Sequence, residues 1–227
     1  MWKDFLSLVY PECCAGCGRS LVRNEYLVCT FCIHSLPKIA SDHEQEMLVA
    51  RKFYGKVQVE ECFALLRYQR KGTVQKLVYG LKYRNMPNLG LLLGQMLGQA
   101  LQRYKAGTHA DYLLPVPLHP QKLGVRGYNQ AEKICEGLAE VLQKPVLPGA
   151  LQRKAATTTQ TRRSRYARWQ NVETVFEVAP EYKSRLQHRH ILLVDDVVTT
   201  GATTEACVQQ LLQLPGTRVS VAAVASA

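Results

Sequence analysis

Acidic residues are scarce in this chain of 227 residues. Aspartate and glutamate together number 18 against 29 lysines and arginines, which gives a formal net charge of +11 at pH 7. Hydrophobic residues nevertheless make up 47% of the chain, so a disordered or collagen-like protein is excluded and one or two globular domains with a sizeable core are expected. A charge excess of this sign favours a polyanionic partner.

Long apolar runs are also missing. A membrane-spanning helix needs about 18 consecutive apolar residues, and glycines and glutamines interrupt the richest stretch, residues 89–101. The N-terminus carries Lys3 and Asp4 and has too few apolar residues after them for the core of a secretion signal. We therefore expect a soluble, cytoplasmic protein with no membrane insertion and no export.

The shortage of acids is concentrated in two blocks of the sequence. Residues 62–110 contain eight lysines or arginines and no acid, and residues 141–172 contain seven more, again without an acid. Fifteen of the 29 basic residues therefore lie in these two blocks. Such a distribution indicates a surface built for an anion, although a solvated face explains any single basic residue equally well.

The eight cysteines divide into a cluster of five at positions 13–32 and three scattered residues. Thiols of a cytoplasmic protein stay reduced, so metal binding is considered before disulfides. Two C-x-x-C pairs separated by eleven residues are typical of a structural zinc site with four sulfur ligands and no open position. The predicted ligands are Cys14, Cys17, Cys29 and Cys32.

Two neighbouring residues leave the ligand set open. Cys13 can replace Cys14 through a shift of one residue, but the matched spacing of the two pairs favours Cys14. His34 is a substitute ligand by its chemistry, although a lone histidine is more often an ordinary surface or core residue. We divide the chain into a zinc-finger module at residues 1–43 and a second domain at residues 44–227, where the sequence pattern changes.

Strand and helix patterns alternate in the second domain. Extended segments are predicted at residues 60–68, 111–117, 191–196 and 217–225. Helices are predicted at residues 72–83, 89–104, 129–143 and 203–214. This alternation predicts an α/β fold with a mainly parallel sheet flanked by helices. Residues 152–172 are polar, basic and without periodicity, and a loop of that length is usually functional.

Two adjacent acids follow a buried strand in the segment ILLVDDVVTTGATTEAC, residues 191–207. Asp195 and Asp196 stand at the carboxyl end of that strand, where open α/β sheets bind ligands. The next loop combines hydroxyls, a glycine, backbone amides and the start of a helix, which favours anion binding. It contains no lysine and lacks the P-loop spacing, so a nucleoside triphosphatase is excluded. Simple capping of the strand and the helix is the competing interpretation.

This segment resembles the signature of type I phosphoribosyltransferases, in which two acids, an apolar pair and T-T-G-x-T follow apolar residues. The resemblance implies the type I phosphoribosyltransferase fold and binding of phosphoribosyl pyrophosphate (PRPP) with Mg²⁺. The two acids would contact the ribose hydroxyls directly or through water and Mg²⁺. The loop would bind the 5-phosphate through Thr199, Thr200, Gly201, Ala202 and Thr203.

Two further segments narrow the family. RGYNQA at residues 126–131 lies between a predicted strand and a predicted helix. The second segment, residues 151–176, has a distinctive spacing of Arg153, Thr159, Gln160, Arg165, Arg168 and Asn171. Together with the N-terminal cysteines, these segments resemble the ComF competence-protein family, including relatives described as amidophosphoribosyltransferase-like. The resemblance covers nearly the whole chain.

The family resemblance also implies roles for the basic residues. The loop after the predicted strand at residues 113–116 would bind pyrophosphate, with candidate contacts from Arg126, Gly127, Asn129, Gln130 and Lys82. Residues 157–171 would form the hood that closes over the site in family members. The candidate hood or nucleic-acid contacts are Arg162, Arg163, Arg165 and Arg168. Catalysis would fall to Asp195, Asp196 and Arg126.

Two classes of function are compatible with these features. A glycosyltransferase would expel pyrophosphate from PRPP and add a nitrogen nucleophile, with Arg126 and Mg²⁺ neutralising the leaving group. A non-catalytic module would instead bind single-stranded DNA during competence and DNA uptake, through the basic blocks and their tyrosines, or would sense PRPP and signal to DNA-processing proteins. A homodimer is compatible with either class, and the sequence does not reveal the acceptor.

Overall fold

Four parallel strands form the main sheet of this protein, whose computed structural model describes residues 11–154 and 175–227. These strands are β1 (Cys62–Arg67), β2 (Tyr112–Pro115), β5 (His190–Val198) and β6 (Arg218–Ser226). Their order across the sheet is β1-β6-β5-β2. The short strands β3 (Leu151–Arg153) and β4 (Phe176–Val178) pair antiparallel in a separate ribbon. The predicted α/β architecture with a parallel sheet is confirmed.

Eight helices of the described residues accompany the strands. They are α1 (Thr30–His34), α2 (Asp42–Leu48), α3 (Thr73–Tyr83), α4 (Pro87–Tyr104), α5 (Pro120–Arg126), α6 (Gln130–Leu142), α7 (Lys183–Leu186) and α8 (Ala202–Leu211). Short 3₁₀ turns occur at Ala50–Lys52 and Pro180–Tyr182. None of the helices in residues 11–154 and 175–227 is both long enough and apolar enough to cross a lipid bilayer.

The sheet is buried on both faces, which explains the apolar runs in its central strands. Alternate residues of β5 point to opposite faces: Leu192 and Val194 pack in a cluster with α3, α4 and α6. Ile191 and Leu193 pack in a second cluster with α8. The carboxyl ends of all four parallel strands therefore meet at one edge of the sheet, between these two layers.

Helices α4 and α6 touch at their backbones. A Cβ atom added at Gly94 would lie 2.1 Å from the carbonyl oxygen of Ile134, and one added at Gly137 would lie 2.0 Å from that of Leu91. Only glycine permits so close an approach. The contact fixes α6, whose first residues line the candidate site.

The residues that follow α1 pack against β1, the edge strand of the sheet. The Ile39 amide donates to the carbonyl of Leu65 at 3.1 Å, and the Arg67 amide donates to the carbonyl of Pro37 at 2.8 Å. These bonds cover the exposed side of β1, which would otherwise offer unpaired backbone groups. The predicted boundary after residue 43 falls inside α2, and the division into two domains stays a prediction.

The predicted strands and helices are all present, with ends within three residues of the observed ones. Sequence patterns missed α1, α2, α5, α7 and the β3–β4 ribbon, which are short and weakly periodic. The aperiodic segment predicted at residues 152–172 begins too early, because Gln152 and Arg153 pair with β4. The four predicted hood arginines, at positions 162, 163, 165 and 168, lie outside the described residues.

Candidate functional site

A cavity of about 430 Å³ opens at the carboxyl edge of the main sheet. Its walls come from the ends of β1, β3 and β5, from α3 and from the loop that follows β2. Open α/β sheets place ligands at this edge. The cavity brings together eight of the predicted site residues: Lys82, Arg126, Asn129, Gln130, Asp195, Asp196, Thr199 and Thr203. Four further residues predicted to contact PRPP do not form its wall: Gly127, Thr200, Gly201 and Ala202. They lie in the loop after β2 and in the loop between β5 and α8.

The two acids occupy the centre of this cavity. Asp196 is 8% exposed, and its Oδ1 forms an ion pair with Lys82 Nζ at 3.0 Å. Asp195 is partly buried, and its Oδ1 accepts a hydrogen bond from the Asp196 amide at 2.8 Å. Burial, and then the negative charge of Asp196, raise the pKa of Asp195 from 3.8 to about 7. Asp195 is therefore poised between its two protonation states at neutral pH.

The loop between β5 and α8 has the geometry of an anion site. Gly201 precedes the helix with a φ of +82°, a left-handed conformation that glycine adopts without strain. The Thr200 hydroxyl accepts a hydrogen bond from the Ala202 amide at 3.4 Å. Thr199 and Thr203 line the cavity, so their hydroxyls lie beside the first turn of α8, where helix amides can bind an anion.

The loop after β2 is held in place by Asn129. Its Nδ2 donates to the carbonyl of Val116 at 3.0 Å, and its Oδ1 accepts from the amide of Ala131 at 3.0 Å. The amide thus caps α6 and ties it to the end of β2. This geometry gives Asn129 a positioning role, while its predicted contact with pyrophosphate stays a prediction.

Arg126 projects from the same loop toward the cavity. Its Nη1 donates to Gln130 Oε1 at 2.7 Å, and its guanidinium lies 5.1 Å from the centroid of the Tyr83 ring. Gln130 is 2% exposed and in turn donates to the carbonyl of Tyr128 at 3.1 Å. The guanidinium is therefore orientated by a buried amide and an aromatic ring. Gly127 ends α5 with a φ of +77°.

Three residues of the wall were missed in the sequence: Tyr68, Lys122 and Arg153. Tyr68 follows β1 directly, and it is the last residue of the extended segment predicted at residues 60–68. Its place at the end of a predicted strand is a signal that could have found it. Arg153 belongs to the second acid-free block, and its guanidinium lies 5.4 Å from the centroid of the Phe176 ring. With these residues the wall carries four cations against two acids, which suits a ligand with several negative charges.

The predicted zinc ligands form a second, separate cluster. The sulfur atoms of Cys14, Cys17, Cys29 and Cys32 all lie within 4.8 Å of one another. Cys14 Sγ accepts hydrogen bonds from the amides of Gly16 at 3.3 Å and of Cys29 at 3.2 Å, as is typical of thiolates in metal sites. A hydrogen bond with Arg19 lowers the pKa of Cys17 to about 6. Four sulfur donors at this spacing fit a structural Zn²⁺ ion.

Cys14 belongs to the cluster, whereas the adjacent Cys13 does not. Cys13 is exposed, and its Sγ lies 3.5 Å from the carbonyl oxygen of Pro11. His34 is not part of the cluster either. The fold thus brings together the four cysteines that the matched C-x-x-C spacing favoured as ligands.

Comparison with known proteins gives relatives that match 64–66% of the chain. The chain is 32% identical over 155 residues to competence protein F of Haemophilus influenzae, and the match covers 66% of this chain and 67% of that protein. It is 30% identical over 148 residues to DNA utilization protein YhgH of Salmonella typhimurium and of Escherichia coli, covering 64% of this chain. The chain spans 63% of the YhgH length. No family model matches it.

Solved structures match about 60% of the chain at TM-scores below 0.5. Glutamine PRPP amidotransferase from B. subtilis is 21% identical, with a TM-score of 0.42 over 60% of this chain and 26% of that one. Purine phosphoribosyltransferase from Pyrococcus horikoshii is 15% identical, with a TM-score of 0.35 over 61% of this chain and 71% of that one. Both are likenesses of fold alone.

Proposed function

The chain belongs to the competence protein F family, and on this premise we propose that it binds PRPP with Mg²⁺ in the cavity at the carboxyl edge of the sheet and acts in DNA uptake or DNA utilisation. One observation carries the proposal for PRPP. A single cavity is lined by the acid pair, by the threonine loop that precedes α8 and by Arg126. Arg126 comes from a segment far from the other two in the sequence. The names of the relatives support the role in DNA handling.

Each part of PRPP has a matching part of the cavity. The 5-phosphate would accept hydrogen bonds from the amides and hydroxyls of residues 199–203, at the positive end of α8. The ribose hydroxyls would donate to Asp195 and Asp196. The pyrophosphate would face Arg126, where a bidentate guanidinium contact is available. Bound Mg²⁺ would supply further neutralisation of the pyrophosphate charge.

Lys82 connects the acid pair to the pyrophosphate side. Its ammonium now pairs with Asp196 at 3.0 Å, on a wall of the cavity that it shares with Arg126. When PRPP occupies the cavity, Lys82 would lie between a carboxylate and the pyrophosphate and would stabilise both.

Catalysis, if the acceptor is present, follows from the same contacts. Departure of pyrophosphate leaves positive charge on the ribose ring, and the two carboxylates lie where they stabilise it. Arg126 stabilises the negative charge on the leaving group. A nitrogen nucleophile then forms the new bond at the anomeric carbon and releases its proton.

Isothermal titration with PRPP and Mg²⁺ tests the binding site. We expect saturable binding by the unmodified protein and a loss of at least 100-fold in affinity when Asp195→Asn and Asp196→Asn are combined, because the ribose and the charge balance are both affected. The matched control is Glu136→Gln with Glu181→Gln, which removes two exposed carboxylates outside the cavity and should bind as the unmodified protein does. Equal binding by the two double variants would refute the site.

Turnover needs a separate assay. The protein is incubated with PRPP, Mg²⁺ and a panel of bases, amines and DNA, and released pyrophosphate is measured against the Asp195→Asn, Asp196→Asn variant. Release above that background identifies the acceptor. Binding without release for any acceptor would support a PRPP-sensing module in place of an enzyme.

A second candidate function is binding of single-stranded DNA, and α3 supplies the observation that favours it. Tyr79 and Tyr83 are 50% and 63% exposed, with ring centroids 4.9 Å apart. Next to them, a cavity of about 510 Å³ separates α3 from the cysteine cluster and is lined by Lys71, Lys76 and Arg84 with no acidic residue. Exposed rings beside cations are the combination that binds unpaired bases and their phosphates.

Fluorescence anisotropy with a labelled single strand measures this binding over a salt series. We expect affinity to fall steeply with salt, and Tyr79→Ala to weaken binding about tenfold, in line with about 1–3 kcal/mol per stacked base. Tyr54→Ala is the control, because Tyr54 is 58% exposed but lies beside Glu46. A salt-independent affinity, or equal losses in both variants, would remove this surface from consideration.

A further inference from the structure

We call residues 199–203 the phosphate loop. A short segment that the sequence did not single out lies behind this loop. We call residues 48–53 the strap; it contains the end of α2 and the 3₁₀ turn Ala50–Lys52. Lys52 is partly buried there. Its ammonium donates to the carbonyl oxygen of Val198 at 3.1 Å and to Ser226 Oγ at 2.9 Å. It therefore joins the carboxyl end of β5 to that of β6.

The strap also touches the loop itself. A Cβ atom added at Gly201 would lie 3.2 Å from Lys52 Cβ and 3.4 Å from Phe53 Cε1. Phe53 is 2% exposed and belongs to the core on the α8 side of the sheet. The residue with a φ of +82° thus rests directly on the strap, so the strap limits where the backbone amides of the loop can point.

The hydrogen bonds of Lys52 reach the residue that immediately precedes the loop. Val198 is the last residue of β5, and Thr199 follows it. Ser226 Oγ donates to the carbonyl of Leu48 at 2.6 Å, which ties the other end of the strap to β6. Burial lowers the pKa of Lys52, as expected for an ammonium held away from water by fixed oxygen atoms. The loop is consequently anchored from behind at Val198, the residue that precedes it, and is supported at Gly201.

We propose that Lys52 is a positioning residue for the phosphate loop: it holds the end of β5 and supports Gly201, so that the amides of residues 199–203 converge on one anion. The role rests on the proposed function, because the anion is taken to be the 5-phosphate of PRPP. Lys52 does not line the cavity, and it acts through the loop and not by touching the ligand.

Hydrogen exchange tests the role without requiring PRPP. Lys52→Met keeps a similar side-chain length but removes the three donors, and it should accelerate exchange of the amides in residues 199–203 at least fivefold. Peptides from α4 and α6, which do not contact the strap, should exchange as before. Arg51→Met is the control, because it removes an exposed cation from the same turn and should leave the loop unchanged.

PRPP titration then links the loop to the ligand. We expect Lys52→Met to weaken PRPP binding about tenfold, Lys52→Arg to recover most of the affinity, and Arg51→Met to have no effect. Unchanged loop exchange in Lys52→Met would overturn the positioning role, as would equal affinity for PRPP in Lys52→Met and the unmodified protein. Faster loop exchange combined with no PRPP binding by the unmodified protein would retain the positioning role and refute the proposed ligand.

Discussion

The cysteine cluster and the cavity at the sheet edge are built in opposite ways. All four ligands of the cluster lie within residues 14–32, and short turns bring them together. The walls of the cavity extend from Tyr68 to Thr203, so its chemistry exists only after β1, β5 and α6 have packed. The cluster is a local structure whose four sulfur donors fit a metal ion, whereas the cavity is a product of the whole α/β fold.

The cysteine cluster and the cavity also differ in their electrostatics. Four thiolates around one cation leave no position for a substrate. The cavity combines two carboxylates with four cations and is open to solvent, and the pKa of one carboxylate, Asp195, is raised to about 7. From this comparison we predict that the cysteine cluster stabilises the protein and that the cavity binds a ligand.

The largest effect should come from loss of a zinc ligand. Cys14→Ser removes one of four ligands, and the metal content measured by mass spectrometry of the native protein should fall from one ion per chain to nearly none. Structural zinc contributes on the order of 10 kcal/mol to small modules, so the segment should also lose protection from proteolysis. Because Cys14 shares a hydrophobic cluster with Leu65 of β1, the melting temperature of the whole chain should fall.

Cys13→Ser is the matched control for this prediction. Cys13 is adjacent in sequence but exposed and outside the cluster, so its variant should retain one ion and the original melting temperature. Equal zinc loss in both variants would show that the cluster observed here is not the binding site. The contrast between a metal-dependent and a metal-independent region would then fail.

A change in the phosphate loop should give the next largest effect. Gly201→Ala places a methyl group against Lys52 and Phe53 and forces alanine into a left-handed conformation, which costs about 1–2 kcal/mol. PRPP binding measured by titration should weaken about 30-fold. Gly149→Ala is the control, since Gly149 has a φ of +76° with no atom near its added Cβ; it should share the backbone strain and keep the affinity.

The pH dependence of stability tests the electrostatic difference between the two regions. The folded pKa of Asp195 is raised from 3.8 to about 7, so between these values the folded state binds more protons than the unfolded state. Stability of the ligand-free protein therefore decreases as pH rises from about 4 to about 7, by on the order of 3 kcal/mol. Urea unfolding at pH 5, 6, 7 and 8 should show this decrease.

Asp195→Asn removes the titrating group and isolates its contribution. The variant should be more stable than the unmodified protein at pH 8, and the two should converge at about pH 4. Parallel stability curves for the two proteins over this range would mean that Asp195 ionises at its ordinary pKa. The cavity would then lack the electrostatic difference from the cysteine cluster that the structure indicates.

Much of the candidate site could be predicted, because its motifs are continuous in sequence. Asp195 and Asp196 come directly after the apolar residues of a strand that the sequence predicts to be buried, and the threonine loop follows that strand. The Lys82–Asp196 ion pair could not be predicted, since it joins helix and strand residues separated by more than a hundred positions. The roles of Gln130 and Asn129 also needed the structure, because an amide side chain shows nothing of its partners in the sequence.

The sequence by itself determined the elements and the local chemistry: the alternating strands and helices, the paired cysteines and the acid pair before a threonine loop. The reason is that periodicity and short spacings are local properties of a chain. Tertiary structure alone decided that the pKa of Asp195 is raised, that Tyr68 and Arg153 complete the cavity, and that Lys52 supports the loop from behind. Those features depend on burial and on contacts between distant residues, which no local pattern encodes.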